Sequence, residues 1–194
     1  MSAFFLSLVV IFVAELGDKS QLMAMTFATR FRTWSVLIGI TIATAVVHLA
    51  SVVLGAALGA ALPTGPISIL AGLAFFGFAA WTLRGDELSE GERSKVDRAG
   101  GAAILAVGVA FFLAELGDKT MLATVTLAAE NGGVAGLIGV WAGSTIGMVV
   151  ADALAIVVGR VLGRRLPERV IRIGATASFA LFGVLLLVEG IRAV

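Results

Sequence analysis

The sequence contains no cysteine and only one histidine among its 194 residues. The lack of cysteine excludes disulfides, thiolate metal sites and thiol catalysis, and a single imidazole disfavours a zinc or copper site. Charged residues make up only 14% of the chain, whereas soluble domains carry roughly 25%. With a mean hydropathy of +1.06, the composition predicts an all-α, multi-pass membrane protein that contacts the lipid bilayer. A net charge of +1 gives no general field that would attract nucleic acid.

Six apolar stretches are long enough to span a bilayer, for which about 20 residues suffice. They predict transmembrane helices at 3–27, 34–60, 66–84, 101–128, 134–160 and 170–191. The polar segment 85–100 has the composition of a solvated linker, and it separates a first three-helix repeat, 1–84, from a second, 101–194. The first stretch lacks a basic n-region, so it is interpreted as a spanning helix and not as a cleaved signal.

The two halves share sequence patterns. Residues 12–20 read Phe-Val-Ala-Glu-Leu-Gly-Asp-Lys-Ser, and residues 112–120 read Phe-Leu-Ala-Glu-Leu-Gly-Asp-Lys-Thr. The pattern Gly-x-x-Leu-Gly-x-x-Leu-Pro also occurs twice, ending at Pro63 and at Pro167. Because three is an odd number of crossings, the second half must enter the membrane from the opposite side. The sequence therefore predicts two inverted repeats, an arrangement that many secondary transporters use.

Arginine and lysine outside the two motifs fall almost entirely on one predicted face of the membrane. That face carries Arg30, Arg32, Arg84, Arg93, Lys95, Arg98, Arg160, Arg164, Arg165, Arg169 and Arg172. The other face carries only Arg192. By the positive-inside rule the first face is cytoplasmic, so both termini and Arg192 are expected outside the cytoplasm and 85–100 within it.

Each motif places two acids and one lysine in the middle of an apolar stretch, where ionisable groups are costly and are usually functional. The four acids are predicted to meet near the bilayer midplane as metal ligands: Glu15, Asp18, Glu115 and Asp118. The lysines, Lys19 and Lys119, are expected to tune the charge of this site and not to bind metal, because an ammonium group repels a cation.

Two hydroxyl residues are candidates for additional oxygen ligands. Ser20 and Thr120 close the two motifs, but on a straight helix they point about 140° away from the glutamates. Gly17 and Gly117 would turn them inward if they loosened the helix.

Two further polar residues lie inside predicted spans. Asp152 belongs to the fifth predicted helix, and His48 stands opposite it when the prolines of the two halves are aligned. Both are candidates for a proton path or for lining the cavity. The alternative is that they are partnered polar groups in a helix interface.

The charges of the predicted site indicate cation/proton exchange. Four carboxylates and two lysines sum to −2, which one divalent cation would neutralise, and protons would do the same in its absence. Carboxylate and hydroxyl oxygens suit Mn²⁺, Ca²⁺ and Mg²⁺. A cation channel with the same acidic site, or a structural subunit with interhelical salt bridges, remains open as an alternative. No nucleophile–base constellation, phosphate loop or nucleotide motif is visible, so neither an enzyme nor a cofactor is expected.

The paired Glu-x-Gly-Asp-Lys-Ser/Thr motifs resemble the signature of a cation/proton exchanger family that includes the Golgi manganese/calcium transporters of eukaryotes and the manganese exporters of bacteria. This family was formerly called uncharacterised protein family sixteen. The resemblance covers nearly the whole chain, and it implies that the motif acids form the cation site. It implies a secondary transporter in the bacterial plasma membrane that exports divalent cations, Mn²⁺ before Ca²⁺, in exchange for protons. A Ca²⁺/H⁺ exchanger is the alternative.

Overall fold

The computed structural model describes residues 2–61, 63–84, 103–162 and 168–193. Within these ranges the chain forms eight helices and no strand. The helices are α1 (Ala3–Glu15), α2 (Lys19–Arg30), α3 (Thr33–Ala61), α4 (Thr64–Arg84), α5 (Ala103–Glu115), α6 (Lys119–Glu130), α7 (Val134–Leu162) and α8 (Glu168–Arg192). The predicted all-helical architecture is thereby confirmed for the described ranges, whereas the predicted linker 85–100 lies outside them.

The predicted spans 3–27 and 101–128 are each broken into two helices, which corrects the expectation of continuous helices there. α1 and α2 divide the first span, and α5 and α6 divide the fourth. Each piece has 12 or 13 residues and is about 18–20 Å long, shorter than the roughly 30 Å hydrocarbon core. In the described part of the chain, four helices are long and apolar enough to cross a membrane alone, namely α3, α4, α7 and α8. The count of six crossings therefore stays a prediction.

A tight turn causes each break. In the first motif Leu16 has φ −61° and ψ 120°, Gly17 has φ +76°, and the N–H of Asp18 donates to the carbonyl of Glu15 at 3.1 Å. These features match a type II β-turn, whose third position needs a positive φ and therefore glycine. The second motif repeats the pattern, with φ +77° at Gly117 and the equivalent backbone hydrogen bond. The Leu-Gly-Asp sequence thus ends one helix and begins the next.

Each broken helix packs against a long helix of the other half. α1 and α2 lie along α7, and α5 and α6 lie along α3. Glycines allow these close approaches: a Cβ atom on Gly147 would lie 2.6 Å from the carbonyl oxygen of Leu8, and one on Gly39 would lie 2.8 Å from that of Ile104. Because each broken helix packs against a helix of the other half, both motifs lie in the same interior of the helix bundle.

The last helices of the two halves, α4 and α8, pack against each other in opposite directions. Gly190 of α8 lies against Ile69 of α4, whereas Gly183 of α8 lies against Phe76, further along α4. Residue numbers therefore rise along one helix as they fall along the other. Because α4 and α8 hold equivalent positions in the two halves, their antiparallel packing agrees with the predicted inversion.

Candidate cation site

The four motif acids, which we call the acidic cluster, are buried where the broken helices meet. Glu15 and Glu115 are 0% and 1% exposed, and Asp18 and Asp118 are 1% and 3% exposed. The carboxyl groups of Glu15 and Glu115 are close enough to interact electrostatically. Both glutamates end a helix, so the negative ends of the α1 and α5 dipoles point at this region. Such helix ends favour a bound cation.

The structure places Ser20 and Thr120 beside the acids. The Ser20 hydroxyl donates to Oε1 of Glu15, and the Thr120 hydroxyl donates to Oε2 of Glu115 at 2.8 Å. On a straight helix these two hydroxyls would point away from the glutamates. The helix is broken by the turn, which reorients the residues that follow it. The other oxygen of each glutamate is buried and, in the described part of the chain, has no hydrogen-bond partner. Each half therefore offers one carboxylate oxygen that is fixed by a hydroxyl and one that is available to a ligand.

Each motif lysine reaches an aspartate of the other motif. Lys119 Nζ lies 2.6 Å from Oδ1 of Asp18, and Lys19 Nζ lies 3.4 Å from Oδ1 of Asp118. The side chain of Lys119 is 4% exposed and that of Lys19 is 17% exposed. Burying an unpaired ammonium or carboxylate is costly, so these reciprocal pairs neutralise the aspartates while tying the two halves together.

In this conformation the acidic cluster is not a ready-made metal site. Among the described residues, no three Asp, Glu or His side chains lie close enough together to hold a metal ion. The ammonium groups of Lys19 and Lys119 instead sit beside the aspartates. These ammonium groups occupy one side of each aspartate, so a cation would reach both aspartates only by displacing them.

Asp152 and His48 are both buried, but their surroundings differ. Asp152 in α7 is fully buried and interacts electrostatically with Asp18. Neither of its carboxyl oxygens has a hydrogen-bond partner among the residues that the structure describes. His48 in α3 lies with its Nδ1 3.4 Å from the hydroxyl oxygen of Thr145. Only Asp152 of this predicted pair combines burial beside the acidic cluster with an unsatisfied carboxyl group.

Gln21 connects the first break to α7 and was not predicted as a site residue. Its Oε1 accepts a hydrogen bond from the Gly17 N–H at 2.8 Å, and its Nε2 donates to the carbonyl of Ala151 at 3.0 Å. In the second motif the sulfur of Met121 accepts the equivalent bond from Gly117 at 3.1 Å. The sequence signal for Gln21 is a polar amide within a mostly apolar stretch, one helical turn after Gly17.

Comparison with known proteins assigns the family. The family model described as "Divalent cation/proton antiporter GDT1" matches residues 3–90 and 103–193. The chain belongs to the GDT1 family. This membership confirms the resemblance that the paired motifs indicated.

Individual GDT1 relatives match almost the whole chain. A Vibrio cholerae protein named "Putative manganese exporter" is 31% identical over 185 residues, which are 95% of this chain and 90% of that protein. A GDT1-like protein of Synechocystis is 30% identical over 203 residues, 95% of this chain and 96% of its own length. The chloroplastic GDT1-like protein 2 of rice is 32% identical over 212 residues, covering 94% of this chain but only 60% of the rice protein. No solved structure matches the chain significantly.

Membership of the GDT1 family confirms the predicted class of protein. The family transports divalent cations and protons, and it is a family of transporters and not of enzymes. Together with the four long apolar helices, this makes the chain a multi-pass membrane transporter. The family therefore favours antiport over the channel and the structural subunit that the sequence had left open.

Proposed function

We propose that this GDT1 protein exports Mn²⁺ from the bacterial cytoplasm across the plasma membrane in exchange for protons. The transported ion would bind the acidic cluster, with Ser20 and Thr120 as additional oxygen donors. The observation that carries this proposal is that α1 and α5 each end at a buried glutamate, one oxygen of which has no hydrogen-bond partner among the described residues. A carboxylate and the negative end of a helix dipole then act on the same point, and both favour a cation.

The donor set supports a hard divalent cation. The candidate ligand atoms are carboxylate and hydroxyl oxygens, which suit Mn²⁺ and Ca²⁺ better than zinc or copper. The name of the Vibrio cholerae relative supports manganese. A Ca²⁺/H⁺ exchanger that uses the same oxygens is the second candidate, and competition between the two ions would distinguish them.

The lysines supply the charge balance that exchange requires. Lys119 and Lys19 lie beside Asp18 and Asp118, where they take the place of a cation. An entering Mn²⁺ would displace them, and its charge would neutralise the −2 sum of the four motif acids and the two lysines. After the metal leaves, protons on the carboxylates would restore neutrality. Because the carboxylates would bind either the metal or protons, but not both at once, the flux of Mn²⁺ and the flux of protons would be coupled.

Alternating access would come from two inverted halves that make six crossings. In this proposal α1 with α2 makes one crossing and α5 with α6 makes another, so that both breaks lie near the midplane. Broken helices of this kind are tolerated where the irregular backbone is covered by protein. The antiparallel packing of α4 on α8 and the reciprocal packing of α1 on α7 and α5 on α3 support the arrangement. Both termini would then lie outside the cytoplasm.

The experiment that tests the site is Mn²⁺ uptake into proteoliposomes that contain Glu15→Gln or Glu115→Gln. Glutamine keeps the shape of the side chain but removes a charge and a strong ligand oxygen, so each variant should lose at least about 90% of the transport rate. The matched control is Glu130→Gln, because the carboxyl group of Glu130 accepts a hydrogen bond from Ser68 and lies outside the acidic cluster. Near-normal transport by both cluster variants would refute the site.

A further inference from the structure

Asp152 is a buried acid that the two motifs leave out. Both of its carboxyl oxygens are inaccessible and, within the described part of the chain, neither accepts a hydrogen bond. A buried carboxyl group without a donor is costly, and in a membrane protein such a group usually serves a bound ion or substrate. Its two oxygens therefore call for a ligand that the described residues do not supply.

Gln21 fixes the position of Asp152 relative to the first motif. The amide of Gln21 donates to the carbonyl of Ala151, the residue before Asp152, and accepts from Gly17 in the turn. This bridge holds the Asp152 segment of α7 beside the break between α1 and α2. Met121 replaces the amide in the second motif, and its thioether cannot donate the matching bond.

The carboxyl group of Asp152 lies outside the acidic cluster as defined but within electrostatic reach of it. It interacts with the carboxyl group of Asp18 and with those of Glu15 and Glu115. These mutual repulsions among buried acids are relieved when a cation lies between them. Asp152 is therefore within electrostatic reach of the motif acids, although no three acids in the described ranges are close enough to hold a metal in this conformation.

The equivalent position of the first half has no carboxylate. Aligning the two halves on their prolines places His48 opposite Asp152. Packing supports that alignment. Gly55 of α3 lies against Val125 of α6, and its counterpart Gly159 of α7 lies against Met25 of α2. Met25 and Val125 are themselves equivalent positions of the two motif helices. The interior is thus acidic on the side of α7 and carries an imidazole on the side of α3.

We propose that Asp152 is a further ligand of the transported divalent cation and that the ion binds asymmetrically, closer to the first motif than to the second. This inference rests on the proposed function. No three acids in the described ranges are close enough to hold a metal now, so binding requires Asp152 and the first-motif acids to close on the ion once Lys119 leaves Asp18. The ion would then be held by both the turn of α1–α2 and the middle of α7.

The test measures Mn²⁺ binding to the purified full-length protein through the loss of the paramagnetic signal of the free ion. Asp152→Asn should weaken binding at least about tenfold, and Glu15→Gln should weaken it more than Glu115→Gln does. The control Glu130→Gln should bind as the wild type does. Unchanged affinity in Asp152→Asn, or equal losses in the two glutamate variants, would overturn the asymmetric site.

The same data separate this inference from the proposed function. Wild-type protein that binds no Mn²⁺, or a Glu15→Gln variant that binds normally, would contradict both. A Glu15→Gln variant that binds poorly beside an Asp152→Asn variant that binds normally would contradict only the role of Asp152.

Asp152→Glu covers the case in which the asparagine variant does not fold. It keeps the carboxyl group but extends it by one methylene, which changes the size of the ligand shell. The ratio of Mn²⁺ to Ca²⁺ affinity should therefore change at least about threefold, because the two ions demand different ligand distances. An unchanged ratio would contradict coordination by Asp152.

Discussion

Lys119 reaches from the second motif to the first, where its Nζ lies 2.6 Å from Oδ1 of Asp18. The reciprocal pair between Lys19 and Asp118 is longer, at 3.4 Å, and its lysine is more exposed. The two motifs are therefore alike in sequence but unequal in how tightly their lysines are held. The first-motif aspartate carries the tighter and more deeply buried pair.

We expect this inequality to appear in stability. Removing one partner of a buried ion pair costs about 3–5 kcal/mol, because the remaining charge is left uncompensated, whereas a more exposed pair contributes less. Lys119→Met should therefore lower the melting temperature of the detergent-solubilised protein more than Lys19→Met does. Adding Asp18→Asn to Lys119→Met should recover part of the loss. Equal losses in the two single variants, or no recovery, would contradict the assigned pairs.

Gln21 offers a second comparison between the halves. Gln21→Met copies the residue of the second motif and removes the hydrogen bond to the Ala151 carbonyl, which should cost about 1 kcal/mol of unfolding free energy. Met121→Gln is the reciprocal control, and it should be nearly neutral because its position already accepts the turn N–H. Thermal unfolding of both variants measures the difference. A larger loss in Met121→Gln would show that the bridge to α7 is unimportant.

Glu130 is the last residue of α6 and lies beyond the predicted span 101–128. The titration of its carboxyl group predicts how the stability of the protein depends on pH. Burial raises the pKa of its carboxyl group, and the hydroxyl of Ser68 opposes that shift in part. A raised pKa in the folded state means that stability present at low pH is lost as the pH rises through that pKa. Glu130→Gln should therefore melt about 1–3 °C higher than the wild type near pH 8, with the gain disappearing near pH 4. A variant that melts lower near pH 8 would contradict this direction.

Much of the architecture could be predicted because it follows from hydropathy and repetition. The paired motifs and the burial of the acids are readable from composition and spacing, whereas the division into two inverted halves stays a prediction. The breaks were missed because an unbroken apolar pattern around Glu15 favours one long helix. A local signal was nevertheless present, since glycine after a helix end and aspartate before a helix start are common capping residues. The positions of Ser20 and Thr120 depend on that turn, so they were left open with it.

The pairing of the lysines could not be predicted from sequence. Lys119 meets Asp18 only because α5 and α6 pack on α3 while α1 and α2 pack on α7. That exchange is a tertiary property, and helical spacing within one motif carries no information about it. The unequal surroundings of Asp152 and His48 have the same origin.

The orientation in the membrane is a further prediction. The distribution of arginine and lysine places Ser94 in the cytoplasm and Ser2 outside it. Because the chain has no cysteine, Ser94→Cys and Ser2→Cys each introduce a single thiol. An impermeant thiol reagent added to intact cells should label the second variant and spare the first. The opposite labelling would reverse the orientation without affecting the inverted repeat.

The most direct test of the central claim is the simultaneous measurement of Mn²⁺ and proton fluxes in proteoliposomes. Mn²⁺ entering the vesicles should drive protons out, and an imposed pH gradient should drive Mn²⁺ accumulation. The apparent affinity for Mn²⁺ should weaken between about pH 8 and pH 5.5, because protonated carboxylates are poorer ligands. Glu15→Gln should abolish both fluxes together. Mn²⁺ flux that moves no protons and ignores the pH gradient would contradict exchange at the acidic cluster.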